Sequence, residues 1–172
     1  MKIVITGKPG IGKTTVVKKV AGELGKKAIG FYTEEYRDKK GKREGFKIKT
    51  LYGEEGILAS KKLDSPYRVG SYGVNINKFE KVVIPVLEEA LNGNKVVIID
   101  EIGKMELFSE KFIRLVKKLF SSDRDIIATV PVKNVHPVVK WIKDRPDIIL
   151  IHLDYSNRDK VPEEILKLME KK

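Results

Sequence analysis

Gly7-Lys8-Pro9-Gly10-Ile11-Gly12-Lys13-Thr14 follows the short apolar run Lys2 to Thr6 and leads into an amphipathic stretch that ends at Leu24. The octet satisfies G-x-x-x-x-G-K-[ST], the phosphate-binding loop. Its glycines let the backbone curl so that successive N–H groups point inward at phosphate oxygens. The helix expected from Thr14 to Leu24, with Gly25 just past its end, turns its positive N-terminus toward the same anion. Gly7, Lys8, Pro9, Gly10, Ile11 and Gly12 therefore read as the cradle of a nucleoside triphosphate. Lys13 is placed to reach the β- and γ-phosphates, the Thr14 hydroxyl to coordinate Mg²⁺, and Thr15 to touch the α-phosphate. A buried strand before the motif and a helix after it are the context that it requires.

A phosphate loop alone hydrolyses nothing. Its complement is an acid at the end of another apolar strand, and Asp100 after Val96-Val97-Ile98-Ile99 fits that place. Asp100 is expected to hold Mg²⁺, through a coordinated water. Glu101 follows at once, where a carboxylate can take a proton from, or orient, the water that attacks the γ-phosphate. Two adjacent acids also imply a further strand between the loop strand and the acidic strand. Asp125 to Val130 is the candidate, with Thr129 at its end available to sense the γ-phosphate or the attacking water.

Working outward, strands are expected at Ala28–Tyr36, Glu44–Leu51 and Gly56–Ser60, with a short one near Tyr67–Val69. No helix separates them, so residues 27–75 form a β-rich antiparallel insert after the first helix. From residue 77 the alternation becomes regular. Helices are expected at Phe79–Leu91, kinked at Pro85, from the Ser109 cap to Phe120, at Pro137–Lys143 and at Pro162–Glu170. Strands are expected at Lys95–Asp100, Asp125–Val130 and Asp147–Leu153. This alternation predicts an α/β protein, a mostly parallel sheet with helices on both faces, in one domain spanning 1–172.

Composition excludes much. Cysteine is absent, which removes disulfides and thiolate chemistry, and the two histidines, His136 and His152, cannot build a metal site by themselves. No apolar run is long enough to span a membrane, and the N-terminus does not read as a signal peptide, so a cytoplasmic location is expected. Charged residues reach 34% while glutamine is missing, a bias seen in proteins of heat-loving organisms. The net charge of +11 admits nucleic acid as a partner. The favoured reading is a solvated lysine-rich surface, with Arg37 to Arg43 as a charged hairpin tip.

Asp100-Glu101-Ile102-Gly103-Lys104-Met105-Glu106-Leu107 resembles a signature of the small nucleoside-triphosphatase family known from thermophiles and, in vertebrates, as cancer-related NTPase. Gly30-Phe31-Tyr32-Thr33-Glu34-Glu35, Gly45-Phe46, Arg68 to Val74, Ala128-Thr129-Val130-Pro131 and Asn157-Arg158 resemble the same family in the same order. The resemblance covers nearly the whole chain and is weakest in the basic turn and the C-terminal helix. It implies a RecA-like P-loop fold and slow hydrolysis of ATP, GTP and other triphosphates to diphosphate and phosphate. Lys13, Thr14, Asp100 and Glu101 match the family positions for those roles.

Further residues remain open on the sequence alone. Lys104 and Glu106 either pair with each other or position the attacking water. Glu34 and Glu35 either face the ligand crevice or point to solvent. Arg158 either approaches the nucleotide, on its base or its phosphates, or makes surface ion pairs. Trp141 and the Tyr and Phe residues are assigned to the core or its margin. A nucleoside or nucleotide kinase is the alternative enzyme, and a nucleic-acid-linked ATPase the third reading. No trans-acting arginine is required, so a monomer is expected.

Overall fold

The computed structural model describes residues 1–170. Along the chain run β1 (Lys2–Gly7), α1 (Lys13–Leu24), β2 (Ala28–Arg37), β3 (Arg43–Thr50), β4 (Glu55–Ser60), β5 (Arg68–Val69) and β6 (Tyr72–Val74). There follow α2 (Ile76–Asn92), β7 (Val96–Ile99), α3 (Glu110–Phe120), β8 (Ile126–Pro131), α4 (Pro137–Lys143), β9 (Ile148–His152) and α5 (Val161–Glu170). All nine strands among the described residues join one sheet in the order β5-β6-β4-β3-β2-β7-β8-β1-β9.

The buried strands are apolar on both faces because helices cover both. Ile3, Ile5, Val96, Ile98 and Ile127 pack with Val16, Val17 and Val20 of α1 and Ile165 of α5. The alternate residues Val4, Val97, Ile99, Ile126 and Ala128 pack with α2, α3 and α4. Phe112, Val116, Leu119 and Phe120 recur at helical spacing and give α3 its buried stripe. Phe31, Phe79 and Phe112 meet edge to face, with centroids 5.1–6.1 Å apart, and lock β2, α2 and α3 together.

The strand order places β8 between β1 and β7, each pair parallel, as the adjacent acids imply. β2 is the switch between the two halves. Its start pairs in parallel with β7, and its length from Phe31 onward pairs antiparallel with β3. The insert therefore extends the main sheet instead of standing apart from it.

Two segments differ from expectation by more than a residue at either end. The segment read as a loop with one short strand is a hairpin, β5 with β6. α2 starts at Ile76 rather than Phe79, because the Asn75 side chain accepts the Lys78 N–H and caps it, and the helix runs on through Pro85. The basic turn is a hairpin tip, with Asp38 accepting the N–H groups of Lys40 and Lys42. Among the described residues no helix is long and apolar enough to cross a membrane.

Candidate active site

The loop between β1 and α1 meets the C-terminal ends of β7 and β8. Gly12 takes φ 114°, a left-handed conformation that side chains disfavour, and so turns the chain into α1. No side chain caps α1 and no acid stands in its first turn. Its first N–H groups and its dipole are thus left for an anion. Lys13 is only 8% exposed. Its ammonium donates to the Gly7 carbonyl at 2.9 Å and lies 3.5 Å from the Val130 carbonyl.

Asp100 stands at the end of β7 and is 1% exposed. Thr14 Oγ1 donates to its Oδ2 at 2.8 Å, and Thr129 Oγ1 donates to its Oδ1 at 2.6 Å. Burial pushes its carboxyl up to about 6, against the opposing pull of those two hydroxyls. Both carboxylate oxygens thus accept hydroxyl hydrogen bonds, and a buried carboxylate beside the Thr14 oxygen is a donor set that fits a hard cation. Among the described residues no group of three acids or histidines could hold a metal alone. Two oxygen ligands suit Mg²⁺, which usually takes one or two protein ligands and fills its shell with water and phosphate.

Glu101 Oε1 lies 3.3 Å from the Lys13 ammonium, with its side chain 27% exposed. The acid and the phosphate-loop lysine, 88 positions apart in sequence, are thus in contact across the site. A Cβ on Gly103 would stand 2.8 Å from Glu101 Oε2 and 3.1 Å from Glu106 Oε1, so this glycine leaves room for two carboxyls. Glu106 is buried, and burial, followed by the charge of Glu101, pushes its carboxyl well above the usual range.

The NTPase family model matches residues 2–166. The chain belongs to the NTPase family. By family it is an enzyme, a nucleoside-triphosphatase. It is similar to nucleoside-triphosphatase THEP1 of Aquifex aeolicus, 51% identical over 99% of this chain and 100% of that protein. It is also similar to the human cancer-related nucleoside-triphosphatase, 38% identical over 95% of this chain and 94% of that one. The crystal structure of the Aquifex protein superposes with a TM-score of 0.93, covering 99% of each chain.

The structure also places the residues that the sequence of this NTPase left open. Thr129 donates its hydroxyl hydrogen to Asp100. Lys104 is exposed while Glu106 is buried, so the two do not pair. Glu34 is tied to Lys18 of α1 and to Lys49, and Glu35 to Arg37 and Arg43. Arg158 does come to the loop, where Nη1 donates to the Ile11 carbonyl at 3.2 Å. Its guanidinium also lies 4.9 Å from the Tyr155 ring centroid. Tyr155, 76% exposed, and the exposed Tyr52 and Tyr67 depart from the assignment of the tyrosines to the core or its margin, whereas Trp141 does pack at the core's edge. Arg145 pairs with Asp147 and stacks on Trp141.

Neither the bond from Thr129 to Asp100 nor the burial of Glu106 is legible in the sequence. The signal for Thr129 was its place at the end of the strand next to the acidic one. Glu106 stands in the family signature, but nothing local marks its burial.

Proposed function

We propose that this NTPase binds a nucleoside triphosphate with Mg²⁺ in the Gly7–Thr14 loop and hydrolyses it to diphosphate and phosphate, with wide tolerance for the base. The carrying observation is the contact between Glu101 Oε1 and the Lys13 ammonium, beside an Asp100 bonded to Thr14. Thr14 and Asp100 would hold the metal, which would supply neutralisation of the phosphate charge. Thr129 orients Asp100 for that task. Lys13 exchanges its Glu101 partner for the γ-phosphate, and Glu101 is released as an acceptor next to the phosphorus. Water oxygen bonds to the γ-phosphorus, the bridging oxygen leaves with the diphosphate, and the water proton passes to Glu101.

Base tolerance is supported by what surrounds the loop. Arg158 and the open Tyr155 ring offer flat surfaces, and stacking accepts any base. The relatives' names speak for hydrolysis, and neither transfer to a small acceptor nor a nucleic-acid trigger gains support from them.

Phosphate release with Mg²⁺ from ATP, GTP, CTP and UTP tests the reading. Glu101→Gln should lower kcat by about 10²–10⁴-fold. Its affinity for a nonhydrolysable triphosphate should be equal to or tighter than that of the native protein, since Lys13 no longer has to leave a carboxylate. A variant with full turnover removes Glu101 from the chemistry.

A further inference from the structure

Lys143, the last residue of α4, is not used by the mechanism above. Its side chain turns back to the segment that follows β8. The ammonium donates to the Val132 carbonyl at 2.8 Å and to Asn134 Oδ1 at 3.0 Å. That leaves one of its three N–H groups uncommitted. No carboxylate among the described residues pairs with it. Its surroundings are those of a cation held in place with nothing to neutralise it.

The place is specific. Lys13 lies 3.5 Å from the carbonyl of Val130, and Lys143 lies 2.8 Å from the carbonyl of Val132, two residues on. Val132 lies one residue beyond the end of β8, and two residues of chain reach at most about 7 Å. β8 adjoins β1 with Gly7, the first residue of the phosphate loop, opposite Pro131. Both ammoniums therefore mark the same strand end at the mouth of the loop. Burial, then the nearby Lys13 charge, holds Lys143 below its ordinary value, and no acid offsets them. Two like charges stand at one strand end, and a polyanion bound by both relieves the repulsion.

We propose that Lys143 is a second phosphate-facing cation, its ammonium contacting the γ-phosphoryl oxygens alongside Lys13 and stabilising the charge that gathers there as the phosphoryl group moves to water. The assignment rests on the triphosphatase reading of the site. The Val132 carbonyl and the Asn134 amide serve as its mount, so the cation is positioned before the substrate arrives. A preset donor of this kind costs no reorganisation during the reaction.

Lys143→Met should lower kcat about 10²-fold. It should also lose about tenfold in affinity for a nonhydrolysable triphosphate with Mg²⁺ while binding the diphosphate as before. Lys143→Arg should restore most of the rate. A kcat within twofold of native, or equal weakening toward triphosphate and diphosphate, overturns the proposal and leaves Lys143 as a strap for residues 132–134. The native protein provides a second readout that needs no folded variant. The nonhydrolysable triphosphate, and not the diphosphate, should protect Lys143 from an amine-acylating reagent, read by peptide mass spectrometry. Protection by both or by neither overturns the proposal. Native protein that releases no phosphate would sink the hydrolase reading instead, and the protection experiment would still decide whether Lys143 meets a γ-phosphate.

Discussion

Asp100→Asn should raise the melting temperature at pH 7.5, because the fold holds this carboxyl 1% exposed at a cost that an amide of the same shape avoids. Burial moves the group from an ordinary 3.8 up to about 6, with the Thr129 and Thr14 hydroxyls already opposing the shift. The folded protein therefore keeps a proton that the unfolded chain has lost. Stability falls as pH rises from 3.8 to about 6, and above that the full penalty stays constant. A shift of this size is worth about 3 kcal/mol at pH 7.5 and about 1.5 kcal/mol at pH 5. For a chain of this length, about 3 kcal/mol corresponds to about 6–12 °C. Asparagine can still accept from one threonine hydroxyl and donate to the other, so packing is retained. Calorimetry of both proteins without divalent metal, at pH 7.5 and pH 5, measures the gap and its shrinkage. A variant that melts no higher at pH 7.5, or a gap that does not narrow at pH 5, refutes the reasoning. Mg²⁺ with a nonhydrolysable triphosphate should stabilise the native protein more than the variant, whose phosphate release should fall by at least about 10²-fold.

Further outcomes follow from other contacts. Gly30 has φ 142°, and a Cβ there would stand 1.9 Å from the Ile98 carbonyl oxygen. Gly30→Ala should therefore cost about 3 kcal/mol or more in urea unfolding, through strain and the forced separation of β2 from β7. Arg158→Ala removes the bond to the Ile11 carbonyl and the Tyr155 stack. It should raise KM about tenfold for every triphosphate and leave kcat within about threefold, as expected for a group that binds rather than reacts. A rise confined to one base would replace stacking with edge recognition.

How much of this molecule was legible in its sequence depends on how far each feature reaches along the chain. The phosphate loop is eight contiguous residues whose backbone shape and helix entry are local, so sequence alone determined it. The apolar strands and the Ser109 cap were legible for the same reason. The adjacent Asp100 and Glu101 even implied the place of β8, since that pair accompanies a particular strand order. The Asn75 cap and the β5–β6 hairpin were missed because turn and cap residues within Leu63–Asn75 fit several local conformations equally well.

What only tertiary structure decided is which side chains meet. Thr129 reaches Asp100 across 29 positions, and Glu101 reaches Lys13 across 88. Glu106 is two residues from Lys104, yet one is buried and the other exposed, because the short helical turn at Glu106–Phe108 carries the first inward. Lys143 looks on paper like the solvated end of a short helix. Only tertiary contacts bring its ammonium to Val132 and Asn134, just past the strand end that pairs with Gly7. Local backbone preference named the ligand class. The desolvation and pairing of charges brought together by the sheet decide the chemistry.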